Sequence, residues 1–99
     1  MAGNDHQLAQ DLSASAAAHL AKGERKKAHE LFSKAADLEE KAFEAVPATR
    51  VRTRGILAVS AASLLYKARR LTDARRFLFK ALASDEPLLP PQESQLREL

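Results

Sequence analysis

The sequence predicts an all-α fold: two stacked antiparallel helical hairpins followed by a C-terminal capping segment. Three observations carry this. Ala, Leu, Lys, Arg and Glu, all good helix formers, dominate the chain, while β-branched residues are few. Apolar residues recur at helical spacing along most of its length. One pattern also occurs twice, as Gly23, Ala28, Phe32, Ala35 and as Arg69, Ala74, Leu78, Ala81, with steps of five, four and three residues in each copy.

Taken in order, Asn4 can cap a first helix, with Gln7 as its reciprocal partner. Leu8, Leu12, Ala16, Ala17 and Leu20 form the apolar stripe of this helix. Gly23 ends it as a left-handed C-terminal residue. A second helix starts near Glu24 and keeps Ala28, Leu31, Phe32, Ala35, Leu38, Ala42, Phe43 and Val46 on one face. Glu30–Lys34 and Asp37–Lys41 are favourably oriented exposed pairs, each contributing about 0.2–0.5 kcal/mol. Pro47 terminates this helix.

Thr49 or Thr53 caps the third helix. If Thr49 does, Gly55 lies inside the helix, costs up to about 1 kcal/mol relative to Ala, and marks a close helix crossing. From Ile56 to Ala68 the helix is apolar nearly all round, which predicts burial on several sides at the centre of the domain. Thr72 caps a fourth helix with Ala74, Phe77, Leu78, Ala81 and Leu82 facing inward, ending before Pro87. Hairpin 1 therefore covers about 5–46, a connection 47–55, hairpin 2 about 56–85 and a tail 86–99. In the tail, Gln92 to Leu99 either forms a short helix with Leu96 and Leu99 on one side or frays.

Ninety-nine residues make one domain, burying roughly 60–70 % of the surface its unfolded chain exposes. Cysteine is absent, so disulfides and thiolate metal sites are excluded and a reducing compartment fits. The N-terminus lacks a charged-then-apolar signal pattern, and the longest apolar-rich run, Ile56 to Tyr66, is about half a membrane span. The expectation is a cytoplasmic protein without a membrane partner. The net charge of +3 is uneven: residues 1–49 carry −2 and residues 50–99 carry +5. Between Arg50 and Lys80, nine basic residues face only Asp73.

The repeated pattern resembles tetratricopeptide-repeat proteins, which stack antiparallel helix pairs. Ala16 stands where the first helix of such a repeat needs a small residue, Lys22-Gly23-Glu24 matches the tight turn, and Ala28, Phe32 and Ala35 match the second helix. Ala62, Ala74, Leu78 and Ala81 occupy the same places in the second copy. The departures are Leu12 and Ala58 for an aromatic, His19 and Leu65 for another, and Arg69 for the turn glycine. The spacing from Ala28 to Ala74 is 46 residues, against about 34 in the family, with the excess between Glu40 and Gly55. The resemblance implies a groove lined by first-helix residues, here Ser13, Ala17, Leu20, Val59, Ser63, Tyr66 and Lys67. The Lys and Asn pattern that clamps carboxylates in some members is missing, since Ala17 and Ser63 stand at the asparagine positions. Two repeats are fewer than the three usually needed for a stable stack, so the tail or self-association must cover the ends.

Catalytic signals are missing. His6, His19 and His29 have no metal-ligand spacing, so no metal and no cofactor are expected; His19 is expected inside the first hairpin and His29 on the surface. None of the seven serines sits in a nucleophile elbow, and there is no glycine-rich phosphate loop. The adjacent pairs Glu39-Glu40 and Asp85-Glu86 point to different sides of a helix and make no acid–base dyad.

The basic region is the sharper candidate. Arg50, Arg52 and Arg54 would oppose the dipole of the third helix, at roughly 0.3–1 kcal/mol each when exposed. Compensation comes either from Glu39, Glu40 and Glu44 at the end of the second helix or from an external anion bound by Arg50, Arg52, Arg54, Arg69, Arg70, Arg75 and Arg76. One Tyr, four Phe and no Trp leave few base-stacking platforms, which makes nucleic acid the weaker anionic partner. Phe79 lies off the inward stripe, covered by Leu88 or Leu89 or part of an interface. The expectation is a non-enzymatic interaction scaffold that binds a protein or peptide partner in its groove or self-assembles into a homo-oligomer. An anion-binding adaptor is the alternative.

Overall fold

The computed structural model describes residues 2–83 and Arg97, with side chains from Asn4 onward. The fold is all-helical: α1 (Ala2–Ala21), α2 (Arg25–Ala45), α3 (Val51–Lys67) and α4 (Leu71–Leu82), with no strand among the described residues. Short links reverse the chain, so consecutive helices pack antiparallel as stacked hairpins. The expected capping segment over 86–99 lies outside the described residues, Arg97 apart.

The two hairpin turns are built alike. In the first, the Glu24 N–H donates to the His19 carbonyl (2.9 Å) and the Gly23 N–H to Leu20 (2.9 Å). In the second, the Arg70 N–H donates to Leu65 (2.9 Å) and the Arg69 N–H to Tyr66 (3.0 Å). Both are Schellman turns with a left-handed residue at the hinge, Gly23 at φ 82° and Arg69 at φ 63°. Small residues related by the same 46-residue offset are buried in both hairpins: Ala16 with Ala62, Ala28 with Ala74, Ala35 with Ala81. The large member of the pattern is less regular. Phe32 is buried in α2, but Leu78 in α4 is half-buried and its neighbour Phe77 takes the core position.

The links between helices also decide the helix starts. Glu24, Arg50 and Arg70 are the N-caps of α2, α3 and α4, all with φ near −90° and ψ near 67° and none with a side-chain cap bond. Their carbonyls accept from Ala28, Arg54 and Ala74 instead. Thr49, Thr53 and Thr72 are therefore not caps, because link geometry fixes the entry before a side chain can choose it. Asn4 lies inside α1, which begins at Ala2. Since α3 starts at Val51, the connection is shorter than 47–55, and Gly55 is buried within the helix.

Alanine makes much of the core: Ala9, Ala16, Ala28, Ala35, Ala36, Ala42, Ala58, Ala61 and Ala62 have no exposed surface. Small side chains let helices approach closely, and Phe32, Phe43, Leu57, Leu64, Leu65 and Phe77 fill the remaining space. Phe43 and Phe77 meet edge-to-face with centroids 5.3 Å apart, joining α2 to α4. The centre is shared by α2 and α3 rather than belonging to α3 alone: Ile56 on α3 is 51 % exposed, whereas α2 packs on α1 and α3 and bonds to α4. The buried side of α1 is Ala9 and Ala16 with Leu12 alongside, while the expected Leu8 and Leu20 are half exposed.

Candidate functional site

Antiparallel packing brings the end of α1, the start of α2 and the end of α3 to one end of the molecule. There they enclose a groove of about 610 Å³ lined by Ala17, Leu20, Arg25, His29, Phe32, Tyr66, Lys67 and Arg69. Leu20 and Tyr66 occupy equivalent places in the two hairpins and are exposed by 46 % and 49 %. Phe32, nearly buried, forms the base, and the Lys67 ammonium lies 5.7 Å from its ring centroid. Arg25 and Arg69 supply two guanidinium groups that have no hydrogen-bond or ion-pair partner among the described residues. Among the described residues no carboxylate lines the groove.

Four of the seven expected groove residues, Ala17, Leu20, Tyr66 and Lys67, meet in this cavity. Ser13, Val59 and Ser63 are half-buried and lie outside its lining, and Val59 packs against the core. Arg25, His29 and Phe32 are additions from α2. Phe32 carried a signal only as a core residue, and His29, expected on the surface, is half-buried in the groove wall.

The basic run does not form one patch. Its two ends are separated by α3, whose 17 residues rise about 25 Å. Arg54 donates to the Val46 carbonyl (3.1 Å) and stacks 4.3 Å over the Phe43 ring centroid. It thus places positive charge at the C-terminal end of α2, where orphan carbonyls and the dipole favour it, and this offsets its unfavourable position at the start of α3. Arg70 donates to Asp37 (2.6 Å), Asp73 (2.9 Å) and the Ser33 hydroxyl (3.1 Å), clamping the start of α4 to α2. Asp37 is therefore bound by Arg70 rather than by Lys41. Arg76 lies 3.7 Å from Asp73. Arg50, Arg52, Arg69 and Arg75 are exposed.

The glutamates expected to face the arginines have other partners. Glu44 accepts from Lys80. Glu40 sits among Arg70, Asp37, Glu44 and Lys80, and its pKa is raised, chiefly by burial. Burial works against the Arg70 charge, but the hydrogen bonds to Asp37 and Asp73 outweigh it and raise its pKa.

Glu39 is fully buried. Ser60 on α3 donates to Glu39 Oε2 at 2.6 Å, and His6 Nδ1 on α1 lies 2.8 Å from Oε1. One carboxylate thereby ties three helices together. Ser, Glu and His meet here, yet the order is wrong for nucleophile activation: the carboxylate stands between serine and imidazole, whereas a relay needs imidazole in the middle. The spacing of α2 held a signal for Glu39, which lies between Ala35 and Ala42 on the apolar stripe. Its partners, 33 and 21 residues away, come only with the fold. His19, half-buried in the first hairpin, is 3.1 Å from Glu24. Among the described residues no group of three or more His, Cys, Asp or Glu could hold a metal ion, and no helix is long and apolar enough to cross a membrane.

Compared with known proteins, the chain matches no family model, no curated protein and no solved structure.

Proposed function

We propose that this chain is a non-enzymatic interaction module, tetratricopeptide-like in its hairpins, that holds a peptide or helix of a partner protein in the groove between α1, α2 and α3. The observation that carries this reading is the half-exposed apolar pair Leu20 and Tyr66 set over Phe32 in a concave site of about 610 Å³. Apolar surface in a concavity with a polar rim is what a helix or extended segment covers. The anion-binding alternative is weaker as a separate function. Arg54, Arg70, Arg76 and Lys80 are already engaged within the fold, and the two ends of the run are held apart by the length of α3.

Peptides selected on the full chain from a randomised displayed library test the reading. Their binding is expected to be lost in Leu20→Asp and Tyr66→Asp but kept in Phe79→Asp, with helicity unchanged in all three. Selected peptides indifferent to both groove substitutions would remove the groove from the function.

A further inference from the structure

Resting on that groove reading, we propose that the segment it takes is acidic: apolar side chains seat on Leu20, Phe32 and Tyr66, and flanking carboxylates meet Arg25, Lys67 and Arg69.

Three cations stand around one apolar concavity. Away from the groove, Arg54, Arg70, Arg76 and Lys80 hold internal acceptors, while Arg50 and Arg75 stand exposed. At the groove, Arg25 and Arg69 hold none among the described residues, Lys67 rests on a ring face, and no carboxylate stands in the lining. The field inside is therefore positive over an apolar floor, which favours an entering group of opposite sign.

Arg69 adds an independent observation. It occupies the left-handed hinge where its counterpart in the first hairpin is Gly23. A side chain there costs conformational energy that glycine would avoid. The Arg69 guanidinium makes no hydrogen bond or ion pair among the described residues, and it lines the groove. A strained residue whose charged group has no internal partner is explained by an external one. Charge alone would also suit a nucleic acid, but the half-exposed leucine and tyrosine call for apolar anchors that a phosphate backbone lacks.

The test uses the full chain and a synthetic amphipathic peptide bearing leucines and one tryptophan on one face and glutamates on the other. The protein has no Trp, so the emission reports peptide burial alone. Saturable binding with a blue shift is expected, weakened about tenfold or more by Arg25→Glu with Arg69→Glu and restored to that variant when the peptide's glutamates become lysines. High salt should weaken it as well. A peptide with serines for leucines is expected not to bind.

A lysine peptide binding wild type as tightly as the glutamate peptide, with both lost in Tyr66→Asp, would overturn the acidic assignment and leave the groove reading standing. Loss of neither in Tyr66→Asp would remove both. Oligothymidylate binding with equal affinity and the same sensitivity would assign the site to nucleic acid instead. Glutamate-peptide binding that strengthens many-fold when Asp85, Glu86, Glu93 and Glu98 are neutralised would make the chain's own acidic segment the occupant and overturn the assignment to a partner. No binding by any peptide would overturn the proposal outright.

Discussion

Single positions in this molecule carry opposing demands, and Gly23 and Arg69 show it most directly. The same Schellman turn is met by a residue suited to it and by one that is strained. Arg69→Gly is expected to raise stability by about 0.5–1 kcal/mol, after allowing for glycine's greater freedom in the unfolded chain. Gly23→Ala should lower it by about 1 kcal/mol although the space beside Gly23 is open, because the cost lies in φ and not in a clash. Chemical denaturation measures both. The glycine turn was legible in the sequence. The arginine turn was visible only as the second copy of a pattern, since nothing in Arg69 itself asks for a left-handed backbone.

Glu39 and Glu40 are neighbours with different fates. Ser60→Ala leaves the buried Glu39 with His6 alone and is expected to cost about 1–3 kcal/mol. That loss should shrink when Glu39 is also changed to Leu, as a double-mutant cycle would show. Glu40, whose pKa is raised by burial, binds its proton more tightly folded than unfolded. Its contribution is therefore least unfavourable below the ordinary value of 4.5 and becomes destabilising as pH rises through the elevated folded pKa. Glu40→Gln is expected to raise Tm at neutral pH, with the gain fading as pH falls to about 4.5. A gain that grows on acidification would contradict this sign.

At the scale of elements, periodicity was informative where side chains differ in size and uninformative where they do not. The inward face of α2 and the buried Ala74, Phe77 and Ala81 of α4 follow the pattern closely. In α1, alanine occupies so many positions that the large residues drew the stripe, and Leu8 and Leu20 were assigned inward although the alanines pack there. Helix starts depart from the expected threonines for a related reason: a Schellman turn delivers Arg70 to the N-cap of α4, and the Pro47–Arg50 turn delivers Arg50 to that of α3, whatever their side chains. The arginines at the start of α3 were read as needing carboxylates, whereas Arg54 uses the exposed end of α2 and a ring face. Between α2 and α4, Arg70 is the principal polar tie. Arg70→Lys cannot reproduce its fork and should cost about 1–2 kcal/mol, toward the low end because Asp37 and Asp73 are partly exposed. An Arg70→Lys variant as stable as wild type would assign that junction to the Phe43–Phe77 contact and the Lys80–Glu44 pair.

Over the whole molecule, two similar hairpins stack so that their turns share one end, and the groove is the consequence of that symmetry. Half of its lining could be placed from the repeat, because Leu20 and Tyr66 are equivalent positions. The rest comes from Arg25, His29 and Phe32 of α2, which the repeat assigns to the core or to solvent, and from the hinge residue Arg69. A second apolar region lies on α3 and α4, where Tyr66, Leu71 and Leu78 border a smaller cavity and Phe79 is 68 % exposed. Leu88 and Leu89, one of which is expected to cover Phe79 unless it belongs to an interface, lie outside the described residues. Self-association through this face predicts a molecular mass by light scattering that rises with concentration and falls in Leu71→Asp, whereas a strict monomer at all concentrations excludes it.

The proposed function requires binding at the turn end of the hairpins. Amide chemical-shift mapping of the full chain with the glutamate-leucine peptide tests it most directly. Shifts are expected to centre on Leu20, Arg25, His29, Phe32, Tyr66 and Arg69, and shifts centred instead on Arg50–Arg54 or on Leu71, Leu78 and Phe79 would move binding away from the groove.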